Sequence, residues 1–294
     1  MANRDAVIRF TNTKHNDTYE YISPTKVDLS GHSVFITGAS KGIGRVTALS
    51  YAAAGCSKIA IGARSDLSQL VPDIKEAAIK AGRKQEPKVV TVKLDVTSED
   101  SVKAAADTIA KEFGGALDVL INNAGYLPKW LPVVEADPAE WWSTYEVNVK
   151  GVFLCSKHFI PLLLKSELKT NIVTASMGAI GIRPGASAYQ SSKFAACRVA
   201  EYIDAEYGAQ GLVCFAIHPG GVKTELALTM PKEMYKVLVD EPALSADTIT
   251  WLGAEHRPWL GGRFISVQWD MEELEAKKDE IFKGDLLKFR MTTI

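Results

Sequence analysis

Val34-Phe35-Ile36-Thr37-Gly38-Ala39-Ser40-Lys41-Gly42-Ile43-Gly44 joins a continuous apolar run to a glycine turn, and an alanine-rich stretch follows as far as Gly55. Four apolar or β-branched residues in a row mark a strand buried on both faces. The glycines allow a tight turn, and the segment beyond them has helical composition. Strand, glycine turn and helix in that order bring backbone N–H groups and the positive end of a helix to one point, where a dinucleotide pyrophosphate can sit. The spacing is G-x-x-x-G-x-G rather than G-x-G-x-x-G. Glycines alone are also what any tight turn requires.

Outward from this segment the chain alternates between short apolar runs and helical stretches. Further strands are expected over 58–62, 89–94, 117–121, 171–174 and 212–217, and a last one within 261–267. Such alternation with right-handed crossovers builds a doubly wound, mostly parallel α/β sheet of seven strands with helices on both faces. No linker, repeat or low-complexity stretch interrupts it, so a single domain is expected over 31–270. It is flanked by a polar N-terminal extension, 1–30, and a charged tail, 271–294. In the tail, Leu274, Ile281, Leu286 and Phe289 are spaced as a loose amphipathic helix would place them.

The 294 residues are 47% hydrophobic and 23% charged, ordinary for a globular protein. A formal charge of −1 offers nothing to nucleic acid or to an anionic membrane surface. The longest apolar stretch, Val152 to Leu164, is broken by Lys157, His158 and Pro161, short of the roughly 18 residues a spanning helix needs. The first residues lack an apolar leader, and the terminal Met-Thr-Thr-Ile is no peroxisomal address. Cys56, Cys155, Cys197 and Cys214 have neither metal nor redox spacing and are expected as buried hydrophobes. No metal is expected, and the default location is the cytoplasm.

Thr37-Gly38-x-x-x-Gly42-x-Gly44, Asn122-Asn123-Ala124-Gly125 after the fourth strand, and Tyr189-x-x-x-Lys193 together resemble the three signatures of the short-chain dehydrogenase/reductase family, in its order. The resemblance covers roughly 31–270 and implies a Rossmann-type fold, a nicotinamide dinucleotide cofactor and hydride transfer. It also implies a dimer or tetramer built on the helices bearing Asn148 and Tyr189. The altered segment Gln268-Trp269-Asp270-Met271, where many relatives have Asp-Gly-Gly, weakens the case for the tetramer and leaves that for the dimer. By the same resemblance Gly38, Ser40, Lys41, Gly42, Ile43 and Gly44 hold the cofactor phosphates. Asp95 and Val96 contact the adenine, Asn123, Ala124 and Gly125 the nicotinamide ribose side, and Val222 and Thr224 the carboxamide; Pro219 and Gly220 in the same segment, and Tyr189 with Lys193, also belong to the cofactor site.

NADP(H) is expected over NAD because the second strand ends in Ala63-Arg64, with no acid where an NAD-selective carboxylate belongs. The Arg64 guanidinium suits a 2′-phosphate, and Lys41 can reach the same group. Arg64 as a solvated residue and Asp66 as an NAD-favouring acid are the rival readings. Asp66 fits a helix N-cap better. Asp95 reads as adenine contact, as a cap for the helix starting near Ser98, or as both.

Reducing a ketone needs an acid for the developing alkoxide, and a tyrosine with a pKa near 10 serves at neutral pH only if a cation lowers it. Tyr189 and Lys193 are one helical turn apart and share a face. The resemblance gives Ser176 the task of orienting the substrate oxygen, and Asn148 that of holding a proton-relaying water. Each has a plainer reading, Ser176 as a turn residue and Asn148 as the filler of a helix irregularity.

The substrate wall is expected from Leu127, Pro128, Trp130, Met177, Ile180, Ile182, Leu226, Leu228, Met230, Met234, Tyr235 and Leu238. That list implies a hydrophobic ketone, aldehyde or alcohol. Arg183 and Lys223 are the nearest basic residues, and residues 228–243 are expected as a lid. Trp141 and Trp142 are expected to pack structurally and His218 to be core. The expected activity is NADPH-dependent carbonyl reduction. The alternatives are an alcohol dehydrogenase running the other way and a non-redox dinucleotide-binding scaffold.

Overall fold

In the computed structural model residues 7–291 are described. The outermost residues of the extension and tail, 1–6 and 292–294, on which the leader and C-terminal-address expectations partly fall, lie outside them. The apolar runs form β1 (Ser33–Thr37), β2 (Lys58–Ala63), β3 (Lys88–Lys93), β4 (Val119–Asn122), β5 (Thr170–Thr174), β6 (Val213–His218) and β7 (Phe264–Ser266). They make one sheet in the order β3-β2-β1-β4-β5-β6-β7, parallel at every pair. The helices are α1 (Gly42–Ala53), α2 (Leu70–Lys80), α3 (Glu99–Phe113), α4 (Pro138–Tyr145), α5 (Gly151–Leu163), α6 (Ser187–Tyr207), α7 (Pro242–Gly253), α8 (Met271–Ala276) and α9 (Lys278–Lys283).

Alternate side chains of each central strand enter opposite layers. Ile36, Ile61, Ile121 and Ile217 pack into one core, whereas Phe35, Ala60, Leu120 and Ala216 pack into the other. This double burial is why the strands read as unbroken apolar runs. Each fully buried Ile or Phe contributes about 1.5–3 kcal/mol. Between β1 and its neighbours β2 and β4 the strand order reverses, which opens a crevice at the C-terminal ends of the strands.

The flanking segments are laced to each other. His15 N donates to Gln268 O at 3.0 Å, Trp269 Nε1 to Val7 O at 2.9 Å, and Met271 N to the Tyr19 hydroxyl at 2.7 Å. Glu273 accepts from the N–H groups of Asn12 and Thr13. The tail forms two short helices broken at Lys277, with Leu274 and Ile281 buried. No helix among the described residues is long and apolar enough to cross a membrane. All four cysteines are free and buried, as expected.

Candidate active site

A cleft of about 1060 Å³ lies over the C-terminal ends of β1 to β4. Gly38, Ser40, Lys41, Gly42 and Ile43 line it from the turn, Arg64, Asp95 and Val96 from the ends of β2 and β3, and Asn123, Ala124 and Gly125 from the end of β4. Pro219, Val222 and Thr224 line its far side. Gly44 and Gly220 do not line it. Gly38 and Gly42 have φ of +67° and +57°, the left-handed region that favours glycine. Gly44 serves packing, because a Cβ there would lie 2.5 Å from Asn123 Nδ2 and 2.6 Å from Gly38 O. That Asn123 amide donates to Thr37 O and Gly38 O at 3.0 and 3.1 Å. The Thr37 hydroxyl accepts from Asn123 N and Ala124 N, both at 3.0 Å. Thr37 and Asn123 thus clamp the glycine turn to the end of β4.

Arg64 is exposed and has no hydrogen bond or ion pair among the described residues, whereas Lys41 is paired with Glu225. Arg45 also lines the cleft, in an ion pair with Asp73. Only its place on the first turn of α1 could have marked it in the sequence. Asp66 does not cap α2, which starts at Leu70 without a side-chain cap. Its carboxylate instead accepts from Ser68 N and Oγ at 3.0 and 2.6 Å in a local turn, and it does not line the cleft. Ser98, not Asp95, caps α3. Asp95 accepts from Thr97 N at 3.0 Å and from its hydroxyl at 2.8 Å; the backbone bond is the main cause that lowers its carboxyl, with Arg64 adding to it.

Four residues converge below the cleft. Tyr189 and Lys193 lie on α6, one turn apart, with Lys193 Nζ 5.8 Å from the Tyr189 ring centroid. Lys193 Nζ donates to Thr174 O at 2.7 Å, and burial pushes its ammonium down to about 8. Burial raises the Tyr189 hydroxyl, and its hydrogen bond with Ser176 lowers it in part. The lysine was expected to lower the tyrosine; here desolvation of both groups dominates, and the lowering partner is Ser176. Ser176 follows β5 and caps the short turn 177–179, accepting from Gly178 N at 3.0 Å. Its turn role and its approach to Tyr189 hold together.

Asn148 sits, fully buried, in a π-helical turn, Glu146–Lys150, between α4 and α5. An extra residue per turn swings its amide out of line, as such turns often do at functional sites. Oδ1 accepts from Tyr126 N, and Nδ2 donates to Tyr126 O, each at 2.9 Å, and to Ser192 Oγ at 3.0 Å. Gly125 lies between the two groups: a Cβ there would be in ordinary contact with Asn148 Oδ1 at 3.5 Å and Lys193 Nζ at 3.7 Å.

A second cavity, about 400 Å³, adjoins the first. Of the expected wall, Leu127, Trp130, Met177, Leu226, Met230, Met234 and Leu238 line it, as does Arg183. Pro128, Ile180, Ile182, Leu228 and Tyr235 do not, Ile182 being 98% exposed; Lys223 lines the cleft instead. His218 is buried at the end of β6 and accepts from Met177 N through Nδ1 at 3.1 Å, but it also faces the cavity. Trp141 packs inward and donates to Ser187 Oγ, whereas Trp142 is exposed and stacks on Tyr145. The N-terminal extension supplies four unexpected lining residues, Ile8, Lys14, His15 and Asn16. Tail residues 271–291 line neither cavity.

Fold and site define an oxidoreductase of the dinucleotide-binding α/β class. Residues 32–234 match the short chain dehydrogenase family, and the chain belongs to it. It is 49% identical over 277 residues to short chain dehydrogenase mpl6 of Monascus purpureus, covering 94% of each chain. Among solved structures it is similar to a short chain dehydrogenase from Shigella flexneri complexed with NADP, at 27% identity and a TM-score of 0.72 over 82% of this chain and 98% of that one. It is also similar to 3-ketoacyl-(acyl-carrier-protein) reductase from Brucella melitensis complexed with NADH, at 25% identity and a TM-score of 0.72 with the same coverage.

Proposed function

We propose that the protein reduces a hydrophobic ketone or aldehyde to the alcohol with NADPH. The observation that carries this is the position of Tyr189, which lines both cavities, with Lys193 lining only the cleft and Ser176 only the smaller cavity. A proton donor on the shared wall can serve a carbonyl in the smaller cavity.

The cleft fits a dinucleotide: the glycine turn leaves room where a Cβ would clash, and the N-terminus of α1 opens onto it. Gly38 to Ile43 would hold the pyrophosphate and Arg64 with Lys41 a 2′-phosphate. Asp95 and Val96 would hold the adenine, Asn123 to Gly125 the ribose side, and Val222 with Thr224 the carboxamide. The bound cofactor would supply the hydride. The Ser176 hydroxyl orients the substrate oxygen, and Tyr189 delivers its phenolic proton there. Lys193 lies behind Tyr189, and Gly125 adjoins both Lys193 Nζ and Asn148 Oδ1, where Asn148 would hold a water for proton resupply. The same residues serve the reverse oxidation. Since similar structures hold NADP in one case and NADH in the other, NADPH rests on Arg64, Lys41 and the absence of an acid at Ala63.

A homodimer fits this reading, because Trp142, Phe153, Phe194 and Tyr202 are exposed on the helices that carry the site. The test is NADPH oxidation over a panel of aryl and alkyl ketones, with NADH as the comparison. Tight NADPH binding without turnover of any ketone, aldehyde or alcohol would replace the reductase with a non-redox binding protein.

A further inference from the structure

The smaller cavity is apolar over most of its wall, yet two cations line it, Lys14 and Arg183, and no aspartate or glutamate does. Neither the Lys14 ammonium nor the Arg183 guanidinium has a hydrogen bond or ion pair among the described residues. By contrast Lys41 and Arg45, beside the larger cleft, are each matched to a carboxylate.

Both cations stand on fixed backbone. Lys14 forms an antiparallel bridge with Trp269, His15 N donates to Gln268 O, and the Asn16 side chain donates to Asp240 Oδ1 at 2.9 Å. Arg183 N donates to Gln190 Oε1 at 2.8 Å. Two carboxylates beside this segment, Asp240 and Asp270, are already committed. Asp240 accepts from Asn16, Gln268 and Gly221 N, and Asp270 from His15 and Glu273 N. The cavity therefore offers an apolar chamber and two unmatched positive charges. A charge-assisted hydrogen bond to such groups is about twice as strong as a neutral one.

We propose that the substrate is a carbonyl compound with an apolar body and a carboxylate, and that Lys14 of the N-terminal extension and Arg183 bind the carboxylate. This rests on the smaller cavity being the substrate site of the proposed reductase. It places one of the two selecting residues, Lys14, outside 32–234, the stretch that matches the family, and the other, Arg183, inside it.

para-Acetylbenzoate and its neutral methyl ester carry the same ketone and separate the two ideas. Titrated into the purified protein by calorimetry, the acid binds about tenfold more tightly than the ester. Lys14→Gln and Arg183→Gln each shrink that ratio about three- to tenfold, Lys14→Glu inverts it, and added salt weakens only the acid. Lys14 is exposed, so its variants fold. Equal binding, tighter binding of the ester, no binding of either, or a preference that survives in both glutamine variants would overturn the proposal. NADPH oxidation with the same two compounds tests the reductase separately. Reduction without an acid preference removes the carboxylate site alone, and a preference without reduction of these compounds or of any ketone, aldehyde or alcohol in the panel removes the reductase alone.

Discussion

Asn16 Nδ2 donates to Asp240 Oδ1 at 2.9 Å across 224 positions of sequence, fastening the N-terminal extension to the segment that follows the β6 loop. Asp240 is buried, and its other oxygen accepts from Gln268 Nε2 at 2.7 Å and from Gly221 N. One carboxylate thus ties together three walls of the smaller cavity. Asp240→Ala leaves three neutral donors without their acceptor, a loss of about 1–3 kcal/mol for each that stays buried and unpaired. The expected outcome is a lower denaturation midpoint and a substrate KM raised at least about tenfold. The NADPH dissociation constant should change less, because Asp240 does not itself line the larger cleft and reaches it only through the loop at Gly221 and Val222. An equal loss in both affinities would show general unfolding rather than a misplaced wall.

Tyr189→Phe removes the hydroxyl at the junction of the cavities while keeping the ring. Turnover should fall by about 10³-fold, within the range of a lost general acid. NADPH binding, followed by fluorescence, should stay within about twofold. A variant that retained a tenth of the activity would require a different proton donor.

The sheet was readable in the sequence because double burial leaves a local mark, as in Val34 to Thr37 and Val213 to Ile217. The glycine turn was readable because Gly38 and Gly42 need left-handed backbone. Helical spacing put Tyr189 and Lys193 together. Lys14, His15 and Asn16 left no such mark. Their place in the cavity depends on backbone pairing with residues more than 200 positions away, and the segment has no periodicity. The irregularity at Asn148 was legible only as one of two readings of that residue, and its π-helical form was not, since one extra residue in a turn shows no compositional trace. Asp66 misled because acids that cap turns and acids that cap helices look alike in sequence; only the start of α2 at Leu70 separates them. Lys193 was read as a charge acting on Tyr189, but spacing carries no information about how deeply either group is buried.

That burial has a consequence for stability. Lys193 binds its proton less tightly in the folded protein, at about 8, than at its ordinary 10.5. Between those values the unfolded chain holds more protons, so this residue's effect is to make stability rise with pH. Its cost is greatest below about pH 8, on the order of 3 kcal/mol. Buried Cys56, Cys155 and Cys197, pushed up to about 12, act with the opposite sign above their ordinary 9.0, as does Tyr189 at higher pH. The readout is therefore the difference between wild type and Lys193→Met in urea. Lys193→Met should be the more stable at about pH 7, and the gap should close toward about pH 10. A gap independent of pH would mean that the Lys193 ammonium is fully solvated by the contact with Thr174 O.

The ion pair between Lys41 and Glu225 competes with any phosphate for the lysine. Both side chains are largely exposed, so the pair is weak and its rupture inexpensive. Glu225→Gln frees Lys41 and removes a negative charge from the cleft wall, and NADPH affinity should rise about two- to fivefold. NADH, which lacks the 2′-phosphate, should gain less. Arg64→Ala should do the reverse, weakening NADPH about tenfold or more while leaving NADH within about twofold. Arg64 has no hydrogen bond or ion pair of its own among the described residues, and its electrostatic effect on Asp95 is shared by both cofactors, so the NADPH-to-NADH ratio is the readout. If both variants shifted the two cofactors in parallel, the basic residues would be acting on the shared pyrophosphate, and the selectivity assigned to Arg64 would be lost.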